Sequence, residues 1–125
     1  MIPQIIDDVC PYIPYISSSP SSGGGFVDIR GENTGDCHYW QVWHGGLPFT
    51  EYRNHYFRYL SEFGFESFPC EKTVNSFTLP EERNIFSRTF EMHQRCKGAN
   101  KKILNYLGDT FLYPADFETL LYASQ

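Results

Sequence analysis

Glu62 sits in the run Tyr59-Leu60-Ser61-Glu62-Phe63-Gly64-Phe65, near the end of an apolar and aromatic strand. A carboxylate among rings is costly to bury unless it is paired or hydrogen-bonded, which makes this residue a candidate for chemistry. The alternative is an ordinary strand-end glutamate bonded to an arginine such as Arg58. A second constellation is His38-Tyr39-Trp40-Gln41-Val42-Trp43-His44. Trp and Tyr rings suit the C–H-rich faces of sugars, and His and Tyr tips can hydrogen-bond hydroxyls. Apolar walls with a few placed polar groups are the usual make-up of a small-ligand pocket. The alternative is a core strand that buries its aromatics. Trp40 and Trp43 are three apart, so a regular strand turns them to opposite faces, and both reach one pocket only if the strand ends early.

Other chemistries find less support. His38 and His44 with Asp36 permit a metal reading, but they lack ligand spacing, and pocket-facing polar residues are the simpler account. No metal and no cofactor are expected. Cys37 and His38 are adjacent, so on a strand they point apart and form no nucleophile–base pair. There is no G-x-S-x-G elbow, no P-loop and no G-x-G-x-x-G; Gly23-Gly24-Gly25 alone is weak evidence for phosphate.

The elements that must position these residues follow from pattern. Tyr12-Ile13-Pro14-Tyr15-Ile16 is short, β-branched and aromatic, and reads as a strand, although Pro14 removes a ladder donor. The nine Ser, Pro and Gly residues at 17–25 then form a loop. Residues 37–44 read as a second strand stopped by Gly45-Gly46, followed by a helix with Thr50 as N-cap. Residues 57–63 read as a third strand. The last third reads as helical: Pro80-Glu81-Glu82 opens one stretch, 87–95 continues it, and Ala99 to Leu107 carries Ile103, Leu104 and Leu107 with Gly108 as cap. Pro114 opens a final helix with Asp116 and Glu118 in its first turn and Phe117, Leu120 and Leu121 inward. This alternation predicts an α/β fold with a parallel sheet, whose functional loops collect at the strand C-termini.

Composition narrows the class. Eleven Phe, nine Tyr and two Trp outnumber the twenty Val, Ile and Leu of the 125 residues. That apolar content excludes a disordered tail, a coiled coil or a collagen-like fibre. The net charge of −5 argues against nucleic acid. No stretch of about 18 apolar residues predicts a membrane span, and no signal peptide is visible, so the compartment stays open. Cys10, Cys37, Cys70 and Cys96 are widely and irregularly spaced and read as free thiols.

The block His38-Tyr39-Trp40-Gln41-Val42-Trp43-His44-Gly45-Gly46, with Ser61-Glu62-Phe63-Gly64-Phe65-Glu66-Ser67-Phe68-Pro69, resembles the catalytic barrel of glycoside hydrolase family 2, and most of all its β-mannosidase branch. Tyr12-Ile13-Pro14 through Ser22 resembles the fifth barrel strand and its loop. Glu91-Met92-His93-Gln94, Gly98, Asn100 and Pro114-Ala115-Asp116-Phe117-Glu118 to Ser124-Gln125 resemble the helices after the seventh strand. The resemblance implies a retaining glycosidase on a (β/α)8 barrel, with residues 1–125 as an incomplete C-terminal half of that barrel, roughly strands five to seven, the loop at 17–25 internal to it. It places Glu62 as the nucleophile and His38, Tyr39, Trp40, Trp43 and His44 at the sugar. A second carboxyl, about 5–5.5 Å away, must protonate the leaving oxygen. The family's acid follows an Asn, whereas Asn33, Asn54, Asn75, Asn84, Asn100 and Asn105 are followed by Thr, His, Ser, Ile, Lys and Tyr. Glu66 stands where the branch often carries Gln, and the eighth strand is expected beyond Gln125.

The expected partners are thus a β-linked mannoside or oligosaccharide and the rest of the barrel, with no nucleic acid and no membrane. The isolated chain is expected to be inactive. The rival readings are a non-catalytic carbohydrate-binding or interaction module, and a chain that folds only by self-association through open sheet edges. β-Glucuronide and β-galactoside remain open as sugars.

Overall fold

The computed structural model describes residues 1–22 and 27–125. They divide into two compact units, 1–64 and 65–125. Part of the loop expected at 17–25, residues 23–25, lies outside the described residues.

The first unit opens with helix α1, Ile2–Val9, started by Pro3 in its first turn. Strands β1, Cys37–Tyr39, and β2, Leu60–Phe63, form a two-stranded parallel sheet joined by a connection that includes a 3-10 helix, Phe49–Asn54. Cys37 and Tyr39 are buried while His38 between them is half-buried, so β1 has one core face and one open face. Val42 and Trp43 complete the small apolar centre. Ser21 makes an isolated antiparallel bridge with Asp36, which ties the serine loop to the start of β1.

Several expectations for this unit are corrected. The segment Tyr12-Ile13-Pro14-Tyr15-Ile16 forms no strand, and all five residues are exposed. The strand expected over 37–44 stops at Tyr39. The His44 and Gly45 amides both donate to the Trp40 carbonyl, at 2.8 and 3.0 Å, and curl the chain into a turn. Gly46 finishes that turn at φ 75°, in the left-handed region that suits glycine. The strand expected over 57–63 begins only at Leu60. Thr50 is inside the 3-10 helix, whose N-cap is Pro48.

The second unit is helical: α2, Glu71–Phe77; a 3-10 turn, Pro80–Glu82; α3, Arg88–His93; α4, Ala99–Thr110; and α5, Phe117–Ser124. Ser87 caps α3 by accepting from the Phe90 amide, and Asp116 caps α5 by accepting from Thr119. Gly108 lies within α4 rather than at its end, because the helix runs on to Thr110 and the Phe111 amide closes on Leu107. The final helix starts at Phe117, three residues past Pro114, and buries Leu120 and Leu121 as the pattern indicated. The core gathers Val74, Phe90, Ala99, Ile103, Leu107 and Leu121. Ser124 stitches this unit: its hydroxyl accepts from the Phe68 amide at 3.0 Å and donates to the Leu121 carbonyl at 2.8 Å.

All four cysteines are free thiols. Among the described residues, no helix is long and apolar enough to cross a membrane.

Candidate functional site

The pairing of β1 with β2 contains one irregularity, and it builds the site. Cys37 pairs with Leu60, but the next residue, His38, pairs with Glu62. Ser61 is therefore an extra residue opposite His38, a β-bulge. In a regular strand Ser61 and Glu62 would point to opposite faces. Here both reach the open face of β1. The Glu62 carboxylate Oε2 lies 3.2 Å from His38 Nδ1, and the Ser61 hydroxyl donates to Asp36 Oδ2 at 2.7 Å.

Asp36 is the hub of the remaining polar contacts. Its Oδ2 accepts from Ser19 as well, at 2.5 Å, and its Oδ1 accepts from the Ser21 amide at 2.7 Å. Ser19 Oγ is also 3.0 Å from His38 Nε2. The hydroxyls of Ser19 and Ser61, in that order, hold the Asp36 carboxyl below the usual aspartate range. Ser19, Ser21, Asp36 and Ser61 border an open cleft of about 850 Å³ whose wall also includes Tyr15, Arg58 and Tyr59. The Glu62 side chain is 53 % exposed and His38 17 %, so the carboxylate is open to a ligand and its partner is sheltered. The partner of Glu62 is His38 rather than Arg58.

The other sequence-derived site residues divide. Trp40 is half-buried, Trp43 is buried and His44 is exposed. The turn that ends β1 brings the three rings together at tilted angles, with ring centroids 5.3 Å apart for Trp40 and His44 and 6.3 Å for Trp43 and His44. Tyr39 turns to the opposite face of β1 from His38, against Tyr52, His55 and Phe57. Its hydroxyl meets His55 Nε2 at 2.9 Å, and His55 Nδ1 meets Glu32 Oε1 at 2.7 Å. Glu51 adds a second carboxylate to His55 at 3.2 Å. The Glu32 contact, foremost, raises the His55 imidazole above its ordinary value and lowers Glu32 below its own. The structure therefore unites Glu62 with His38 and groups Trp40, Trp43 and His44 at the end of β1, while Tyr39 joins a separate cluster.

Sequence reading missed Asp36 as a hub, Ser19 and Ser61 as its donors, and the Glu32–His55 pair. Asp36-x-His38 at a strand start and Ser61 next to Glu62 are the only local signals. Among the described residues, no group of three or more His, Cys, Asp or Glu is placed to hold a metal ion. Glu66 lies in the second unit, half-buried on the wall of a small cleft that includes Phe68, Phe77 and Phe90.

Comparison with known proteins places this geometry in context. No family model matches the chain. It is 32 % identical over 133 residues to a protein of Thermothelomyces thermophilus called β-mannosidase B, covering 98 % of the chain and 15 % of that protein. A β-mannosidase B of Aspergillus flavus is 29 % identical over 131 residues, covering all of the chain and 15 % of its own length. Among solved structures, a β-D-mannosidase from Dictyoglomus thermophilum superposes with a TM-score of 0.83 at 31 % identity, over 98 % of the chain and 15 % of that protein. The chain spans about one-seventh of the length of the relatives it matches.

Proposed function

The chain is homologous along its whole length to a segment of the β-mannosidases, and from that premise we propose that it is the part of a retaining exo-β-mannosidase that carries the nucleophile, Glu62. The observation that carries this reading is the exposed Glu62 carboxylate near the C-terminal end of a parallel strand, 3.2 Å from His38. In (β/α)8 barrels, groups at that end of the strands do the chemistry. On this reading β1 and β2 are the sixth and seventh barrel strands, and residues 12–22 take the course of the fifth.

The mechanism follows from two carboxyl groups. Glu62 attacks the anomeric carbon, the leaving oxygen departs with a proton, and water later releases the sugar from the covalent glycosyl-enzyme. Ionised Glu62 is required for attack, and His38 at Nδ1 is placed to share its proton or to pair with its charge. Trp40 and Trp43 supply apolar walls for the sugar, and His38 and His44 supply polar tips. Tyr39 acts behind the site, where its hydroxyl meets His55 and its ring backs β1. No Asn–Glu pair occurs in the sequence, so the acid that protonates the leaving oxygen comes from polypeptide outside these 125 residues. The segment alone is accordingly inactive. The exposed apolar residues of the first unit, among them Ile2, Ile5, Val9, Ile13 and Ile16, support its packing against further polypeptide.

The test is covalent trapping. The longer enzyme that carries this segment, treated with a 2-fluoro β-mannoside bearing a good leaving group, is digested and mapped by mass spectrometry. A glycosyl adduct on Glu62 is expected. An adduct on another carboxylate, or sugar binding without any adduct, overturns the assignment; the second outcome supports a carbohydrate-binding module.

A further inference from the structure

The proton inventory around Asp36 constrains His38. A serine hydroxyl has one proton to give and lone pairs to accept with. Ser19 gives its proton to Asp36 Oδ2 at 2.5 Å and Ser61 gives its proton to the same oxygen at 2.7 Å. The competing contacts are weaker: Ser61 to the Cys37 carbonyl is 3.4 Å, and the two hydroxyls are 3.4 Å from each other. With its own proton spent, Ser19 can only accept from His38 Nε2, 3.0 Å away. Nε2 therefore carries a proton. Nδ1 faces Glu62 Oε2 at 3.2 Å, and a hydrogen bond there needs one proton, held by the ring or by the carboxyl.

We propose that Asp36 is a positioning residue that sets the direction of every hydrogen bond in this row: by taking the Ser19 and Ser61 protons it fixes the His38 proton on Nε2 and leaves Nδ1 as the nitrogen that shares a proton with Glu62. Because the same two hydroxyls hold Asp36 below the ordinary aspartate range, it is an acceptor only at neutral pH. Ser19, His38 and Glu62 have the connectivity of a Ser–His–acid triad, but the Ser19 proton points away from His38, so His38 is no base for Ser19. It serves Glu62 instead. A ring that keeps its proton on Nε2 presents Nδ1 to Glu62 as the nitrogen through which the two groups can exchange a proton. That last role rests on Glu62 being the nucleophile; the hydrogen-bond direction does not.

Asp36→Asn tests the direction. The Ser21 amide can only donate, at 2.7 Å to Oδ1, so the Asn carbonyl oxygen takes that place and its NH2 faces Ser19 and Ser61. Both hydroxyls then accept from Asn, and the Ser19 proton is released toward His38 Nε2. The neutral ring must switch to the Nδ1–H tautomer. The 125-residue chain carrying Glu62→Gln, whose neutral amide can donate to bare Nδ1 or accept from Nδ1–H and so favours neither tautomer, is ¹⁵N-labelled at histidine and read by two-bond ring correlations at about pH 9, where ordinary imidazoles are neutral. A His38→Gln chain assigns the signals. In the Glu62→Gln chain Nε2 is expected to be protonated; when Asp36→Asn is added the protonated and bare ring nitrogens are expected to exchange. Ser19→Ala is expected to erase the effect, so that adding Asp36→Asn to it leaves the tautomer unchanged. Ser61→Ala keeps the Nε2–H form. Should Asp36→Asn lose its near-ultraviolet circular dichroism, Ser19→Ala alone decides: loss of the single-tautomer bias is expected. An unchanged tautomer in folded Asp36→Asn, or in Ser19→Ala, overturns the proposal. The covalent adduct reads Glu62 and the ring nitrogens read Asp36, so each assignment can fail without the other.

Discussion

Glu62→Gln separates catalysis from architecture. The contact with His38 spans 3.2 Å, with the carboxylate 53 % and the imidazole 17 % exposed. A pair open to solvent on that scale contributes about 0–1 kcal/mol to stability. Gln keeps the length and the carbonyl acceptor, so the loss is expected to stay below about 1 kcal/mol, or a Tm change within about 5 °C for a chain of this size. With Glu62 as the proposed nucleophile, the expected effect on catalysis is far larger. On the proposed mechanism, loss of the covalent route is expected to lower kcat on the order of 10⁴-fold or more, which corresponds to about 5 kcal/mol of transition-state stabilisation. The assay has two arms. Thermal unfolding of Glu62→Gln by circular dichroism gives the first number, and hydrolysis of an aryl β-mannoside by the longer enzyme gives the second. Retained turnover in Glu62→Gln refutes the nucleophile assignment. A collapse of Tm together with activity refutes the view that Glu62 is held for chemistry rather than for the fold. Turnover by the 125-residue chain itself, abolished by Glu62→Gln, refutes the view that the second carboxyl lies elsewhere.

Ser124→Ala in the second unit strands the Phe68 amide in a buried site and is expected to cost about 1–3 kcal/mol, measured by denaturant unfolding. Thiol alkylation followed by mass spectrometry is expected to modify Cys70 first, since it is exposed and its Thr73 contact lowers its pKa, and Cys37 last, since burial raises it. The Glu32–His55 contact has a pH window: the lowered Glu32 contributes above its unfolded value and loses that contribution as pH falls through its folded pKa. The raised His55 contributes below its unfolded value and loses it as pH rises through its folded pKa. The contact is therefore strongest between about pH 4.5 and 6.5, and Glu32→Gln is expected to flatten the fall in Tm between about pH 6 and pH 9.

The sequence exposed those features whose causes are local. Pro80 and Ser87 mark the starts of helical segments, and Leu120 and Leu121 mark the buried face of α5, although that helix begins after its cap Asp116 rather than at Pro114. Glu62 stood out because a carboxylate interrupts an aromatic strand. Two helices, α1 and α2, went unread: α1 carries an apolar stripe at helical spacing, Ile2, Ile5, Ile6 and Val9, that was passed over and that buries none of its residues in this structure, and α2 buries only Val74. The alternation over residues 37–44 cannot report that the His44 and Gly45 amides fold back onto the Trp40 carbonyl. A run of strand-forming residues at 12–16 made no strand because a ladder needs a partner as well as propensity. The site's hub was hidden for a related reason. Asp36 meets Ser19 seventeen residues away and Ser61 twenty-five residues away, and no local pattern encodes either contact.

The bulge at Ser61 connects fold to site. Without the extra residue, a regular ladder running on from Cys37–Leu60 sets Ser61 opposite His38 and Glu62 opposite Tyr39, on the core face. Glu62 would then take the place that Phe63 holds opposite Tyr39 and beside Tyr52, turned away from His38. With it, Ser61 and Glu62 both reach the open face, one to hold Asp36 and the other to meet His38. A bulge leaves its extra residue outside the ladder and weakens the local pairing. Ser61 offsets that loss through its hydroxyl bond to Asp36, and Asp36 in turn anchors Ser19 and the Ser21 amide. Ser61, the residue whose insertion aims Glu62, and Ser19, the residue that meets His38, therefore share one acceptor, Asp36, and a change in Asp36 reaches both.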